Sequence, residues 1–259
     1  MPRNVPYLAE EAMERDAEAL LAEFARARNL VIEPPIPIED IVEKHLKLGI
    51  EFDDTHDLFG IPRAGLDLGQ GPDILGAMFF DEKRIIIDES LDPEENPARE
   101  GRYRFTLAHE GGGHWRLHRH LFAKDPAQSS LFDGKSAPSV VCRSSQAKAR
   151  VEWQADFYAS CLLMPRKLVF SAWDEAFPDR KQRVLAPNAP VDHPFVEVPW
   201  ISCRVGEYDC SESDDEALDR LARPFAEKFL VSPIAMRIRL EKLGLLMREV
   251  PHQRILGAG

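Results

Sequence analysis

Residues 104–118, RFTLAHEGGGHWRLH, read as a metal-binding helix with one residue more than the familiar H-E-x-x-H spacing. In that motif the two imidazoles stand one helical turn apart and reach one zinc ion, while the adjacent glutamate takes the proton of the attacking water. Here Gly111, Gly112 and Gly113 set His109 and His114 five positions apart. On an undistorted α-helix, at about 100° per residue, such a pair diverges by roughly 140° and cannot chelate.

The apolar pattern gives an independent test. Phe105, Ala108 and His109 share a face before the glycines, and Leu117, His118 and Leu121 share one after them. Counted straight through, Leu117 lies about 120° and Leu121 about 160° from Phe105. With one residue absorbed in a bulge those angles fall to roughly 20° and 60°, and His114 comes to about 40° from His109. One displacement repairs both patterns. Glycine weakens a helix by about 1 kcal/mol per residue relative to alanine, so three in succession mark the easiest place for a wide, π-type turn. Two other readings stand beside this one. Either the glycines end the helix and disperse the ligands, or the helix runs on undistorted and Glu110, His114 and His118, at intervals of four, face one side.

A catalytic zinc site needs a third protein ligand and an open position. The segment VEWQADFYASCLLMP, residues 151–165, supplies a candidate. Ala155, Tyr158, Ala159 and Leu162 form an apolar stripe, and Glu152 lies three residues before Ala155 on the same face. A carboxylate turned toward a core is costly unless it is paired or metal-bound. Asp156, one turn later, is placed to accept the remaining N–H of a ligating histidine. The plainer reading of Glu152 is a helix-start carboxylate facing the helix dipole. Tyr158 is a candidate donor to the oxyanion.

The rest of the chain frames this site. Met13, Ala17, Leu20, Leu21 and Phe24 recur at helical spacing over residues 9–28. After EPPIP a short helix follows, with Ile38, Ile41, Val42 and His45 on one face, where His45 is expected to pack. DILGAMFF and KRIIIDES flank DEK and suggest adjacent strands or a hairpin, and VVCR suggests a further short strand. Residues 123–140 read as a long loop, placed to act as a lid. Five prolines from Pro178 to Pro199 inclusive exclude a long helix or a central strand there. Leu218, Leu221, Ala222, Phe225 and Phe229 then fall in helical register, and Ser232 and Pro233 read as the cap and first turn of another helix. We therefore expect an α+β fold in three parts: residues 1–178 with the metal site, a proline-rich connector over 179–213, and a helical hairpin over 214–259.

At 259 residues the chain is long enough for one main domain and a smaller appendage. It has no run of about 18 apolar residues, so no membrane span is expected. Its first twenty residues lack an apolar core and turn acidic, unlike a signal peptide, so the expected location is the cytoplasm. The four cysteines are few and widely spaced, as reduced thiols would be. A net charge of −11 opposes contact with a phosphate backbone, so nucleic acid is not expected as the main partner.

With these residues in place, the sequence resembles the ImmA/IrrE family of metallo-endopeptidases. The likeness runs over most of the first 178 residues: PPIPIEDIVEKHLKLGIEF, the strands around RIIIDESL, RYRFTLAHEGGGHWRLH and VEWQADFYASCLLMP. The combination of RFTLAHE, a following histidine and a later E-x-x-A-D with LLMP is more specific than H-E-x-x-H alone. The resemblance implies a zincin-like helical domain with a small sheet, and a gluzincin-like peptidase. In it Zn2+ would be held by His109, His114 and Glu152, with Glu110 as general base. It also implies that the substrate is a cytosolic helix-turn-helix repressor. Residues 221–246 are similar to a C-terminal helical hairpin that resembles a helix-turn-helix, with Arg237, Arg239 and Lys242 as a candidate basic face. The extra glycine is the departure from the family pattern. The rival from another class is a peptidase-like scaffold that holds a regulatory partner without a metal.

Overall fold

The structure is a computed structural model and describes residues 5–60, 74–122, 140–143, 150–184 and 214–248. The described residues up to Pro165, together with Lys228–Val231, form one compact unit. Those from Arg166 to Glu227 and from Ser232 onward form a second. The first unit's main stretch thus ends at Pro165, short of the boundary at 178 expected from sequence. The reason is aromatic packing in the second unit, where Trp173 stacks on Phe225 at 5.5 Å and Phe177 lies 4.5 Å from Trp173.

The first unit opens with α1, Glu10–Arg28, whose buried residues are Met13, Ala17, Leu20, Leu21 and Phe24, the stripe read from the sequence. Helix α2, Ile38–Asp40, continues as a wider turn over Ile41–His45. His45 packs edge-on against Phe24 at 5.9 Å, as expected of a packing residue. Strand β1, Gly49–Asp53, and helix α3, Thr55–Phe59, come next. Strands β2, Ile74–Phe79, and β3, Arg84–Asp88, form the expected antiparallel hairpin, with Gly76 opposite Ile87 and Phe79 opposite Arg84. Strand β4, Val140–Arg143, pairs antiparallel with β2, while β1 runs parallel to β3, giving the sheet order β1-β3-β2-β4. The β-branched and apolar residues of β2 and β3 are buried almost throughout, as befits central strands.

Helix α4, Glu100–Leu107, leads into a wide helix over Ala108–His118 and then into α5, Arg119–Phe122. Helix α6, Arg150–Leu163, packs against the wide helix and against α1. The wide helix also meets β2, so it is enclosed between sheet and helices. Residues Ala108 to Trp115 are all buried. This revises the stripe argument: Phe105, Leu117 and Leu121 are only half-buried, because the helix is covered on most sides rather than along one face.

The second unit holds α7, Arg166–Ala176, the short parallel pair β5, Arg183–Val184, and β6, Leu246–Met247, and most of α8, Asp214–Phe229, with α9, Pro233–Lys242. Leu218, Leu221, Ala222 and Phe225 are buried as expected, and the Ser232 hydroxyl caps α9 by accepting from the Ala235 N–H at 3.1 Å. Of the candidate basic face only Lys242 is exposed. Arg237 is buried and bonded to Asp219 at 2.6 Å, and Arg239 is buried as well. The lid region over 123–139 and most of the connector, 185–213, lie outside the described residues. No helix among the described residues is long and apolar enough to cross a membrane.

Candidate metal centre

The wide helix decides how the two histidines meet. Over Ala108–His118 its hydrogen bonds run from residue i to i+5, so the extra residue is accommodated along the whole stretch instead of in one bulge. In such a helix residues five apart are hydrogen-bonded neighbours on successive turns. His109 and His114 accordingly face each other, with Nε2 atoms 2.9 Å apart and both rings buried.

Glu152 comes from the first turn of α6, and its Oε2 lies 3.2 Å from His109 Nε2 and 3.6 Å from His114 Nε2. Asp156, one turn on, places Oδ1 2.9 Å from His109 Nδ1. A carboxylate can only accept, so it takes the Nδ1–H and leaves His109 Nε2 with a bare lone pair. Glu110 is fully buried next to His109, and the ligand atoms of His109, Glu110 and His114 all lie within 4.8 Å of one another.

The undistorted-helix set of Glu110, His114 and His118 is not formed as a ligand group. His118 is buried beside His114, but its Nδ1 faces His114 Nδ1 at 3.2 Å and its Nε2 faces Gln154 Oε1 at 2.9 Å. Tyr158, the candidate oxyanion donor, gives its hydroxyl to Asp16 at 2.7 Å instead, within an ion-paired group that includes Arg116. His120 is exposed.

The residues fit a metal ion. In a tetrahedral site with bonds of about 2.0–2.1 Å, donor atoms stand roughly 3.3 Å apart, and the three distances among Nε2, Nε2 and Oε2 bracket that value. Both Glu110 oxygens and Glu152 Oε1 are buried without a hydrogen-bond partner among the described residues. Leaving such groups unsatisfied is expensive, and a bound cation with its water offsets that cost. Burial pushes the His114 imidazole down to about 4, against the pull of Glu152. Burial also disfavours the charged form of Glu152, but the flanking imidazoles of His109 and His114 outweigh it and hold that carboxyl well below the ordinary carboxylate range. A neutral imidazole beside an ionised carboxylate is the protonation state that metal ligation requires.

The glycines have a second role that the sequence did not reveal. A Cβ at Gly111 would meet Val42 Cγ2 at 2.7 Å, one at Gly112 Leu162 Cδ2 at 2.9 Å, and one at Gly113 the Ala155 Cα at 2.6 Å. All three therefore serve close approach, and Gly113 abuts the α6 backbone one turn from Glu152. Gly76 does the same from the sheet, where a Cβ would stand 2.8 Å from Thr106 Cγ2 and 3.2 Å from Glu110 Cγ. Gly113→Ala is expected to destabilise the metal-free protein by about 1–3 kcal/mol, because backbone must shift to admit the methyl. Gly112→Ala meets the tip of a leucine side chain and the Tyr158 ring, so its loss should be smaller. Urea unfolding of the two variants checks the order, and a smaller loss at Gly113 would contradict the packing described.

The chain matches no family model and no curated protein, which leaves the geometry of these side chains as the ground for a functional reading.

Proposed function

We propose that this protein is a zinc-dependent endopeptidase of zincin-like architecture. The observation that carries the reading is the convergence of His109 Nε2, His114 Nε2 and Glu152 Oε2 next to a buried glutamate with two unpartnered oxygens. Two nitrogens and a carboxylate oxygen are the donor set of hydrolytic zinc sites. Zinc bound there would polarise the scissile carbonyl and make water a nucleophile near neutral pH. Glu110 would accept the proton of that water and pass it to the leaving amine. Asp156 orients His109, and Glu152 brings the negative charge that balances the cation.

A scaffold that had lost its metal would keep Glu110 and Glu152 oxygens buried at a cost with nothing to offset it, so the binding-protein reading has less support. The resemblance to ImmA/IrrE peptidases adds the substrate class, a cytosolic helix-turn-helix repressor cut once in a segment that opens into extended form. Co-expression with candidate repressors followed by intact-mass analysis should give one fragment pair, absent with Glu110→Gln. Cutting of casein at many sites, with every repressor left whole, would identify a general peptidase instead.

A further inference from the structure

Behind His114 lies a row of buried polar groups that the hydrolytic mechanism does not use. His114, His118 and Gln154 are each almost wholly buried, and they connect in series. Gln154 Nε2 donates to the Pro6 carbonyl at 2.8 Å, Gln154 Oε1 lies 2.9 Å from His118 Nε2, and His118 Nδ1 lies 3.2 Å from His114 Nδ1.

The proton positions follow from the far end of the row. A proline carbonyl only accepts, so the side of the Gln154 amide facing it must be the NH2 group. The other side is then the amide oxygen, which also only accepts, so His118 Nε2 carries a hydrogen. In neutral His118 this leaves Nδ1 bare. Facing it at 3.2 Å, His114 Nδ1 supplies the hydrogen, and His114 Nε2 is left as a lone pair aimed at His109 Nε2 and Glu152 Oε2. The opposite tautomer would aim an N–H at the ion.

We propose that Gln154 and His118 are positioning residues that fix His114 as its Nδ1–H tautomer, so that Nε2 is prepared for the metal before the metal arrives. The relay does for His114 what Asp156 does for His109, using neutral groups and an anchor in the N-terminal segment. The chemical need for it is plain from the packing: with Glu152, Asp156 and Glu110 already close to the two histidines, another carboxylate behind His114 would add a fourth acidic group. As a statement about metal preparation, the proposal rests on the zinc reading above.

Two-bond 1H–15N correlation spectra of the full-length, metal-stripped protein report each histidine's tautomer directly. The expected result is Nδ1–H for His114 and Nε2–H for His118. Gln154→Leu should give His114 a population with Nε2–H, and zinc affinity, measured by competition with a chelator, should fall by about 10–100-fold. His118→Leu should weaken zinc similarly, whereas His118→Asn, whose amide oxygen accepts from His114 Nδ1–H, should restore most of it. A purely structural role predicts no such recovery by Asn over Leu. An Nε2–H His114 in the parent, or a Gln154→Leu protein with unchanged tautomers and affinity, overturns the proposal. A parent with the expected tautomers that binds no zinc supports the relay and defeats the peptidase reading, so the two failures are separable.

Discussion

Replacing Glu110 by Gln should lower peptide cleavage by at least about 100-fold while zinc stays bound. The substitution keeps volume and hydrogen-bonding capacity but removes the only buried carboxylate with both oxygens unpartnered among the described residues. Single-turnover cleavage and zinc content, measured on the same preparation, check both halves. Parental cleavage by the variant would show that Glu110 is not the base.

The same substitution has an opposite effect on stability once the metal is removed. Burial pushes the Glu110 carboxyl from its ordinary 4.5 up to about 8, with the Glu152 charge adding to the shift and His109 opposing it. The folded protein then holds a proton that the unfolded chain has released. Its contribution to stability is full below the unfolded value and is lost as pH rises through the folded one. Glutamine stays neutral, so metal-stripped Glu110→Gln should melt higher than the metal-stripped parent. That gain should widen from about pH 5 to about pH 8. An activity lost together with a lower melting temperature would mean damage to the fold instead of loss of the base.

The second large effect concerns the ligands. His109→Ala, His114→Ala and Glu152→Ala should each weaken zinc by more than the ~10–100-fold typical of residues that only orient a ligand. His118→Ala should stay within that smaller range, because both of its ring nitrogens are turned to protein partners. Chelator competition on the four variants ranks them. If His118→Ala lost zinc while His109→Ala kept it, the metal would belong to the undistorted-helix set, and the wide helix would not be the geometry of the metal-bound protein.

How much of this was legible in the sequence follows from what each signal measures. Periodicity reports which side of an element is buried, so α1, the hairpin of β2 and β3, and the stripe of α6 were readable. The phase shift across the three glycines also announced a wide turn. Its extent was not readable, since hydrogen bonding from i to i+5 over eleven residues leaves no separate mark on residue types. Strand β1 and helix α3 were passed over. Strand β1 is short and mostly exposed, so its burial pattern is weak. Helix α3 did carry a signal: Asp54 caps it by accepting from the His56 and Asp57 amides, and Gly60 closes it at φ 63°. For the site, Glu152 and Asp156 were placed by spacing, while the service of His118 and Gln154 to His114 was invisible, because it depends on contacts across 36 residues and with Pro6. The ion pair that buries Arg237 was not readable for a similar reason. Its partner Asp219 lies on another helix, and charge counted along one helix does not reveal a pair between two.

The central claim is that a helix with an inserted glycine still brings His109 and His114 together on one ion. Elemental analysis of the purified protein, run beside His109→Ala, tests it most directly. The account predicts about one tightly held zinc per chain in the parent and essentially none in the variant. A parent without zinc, or a His109→Ala protein with its zinc intact, would contradict it.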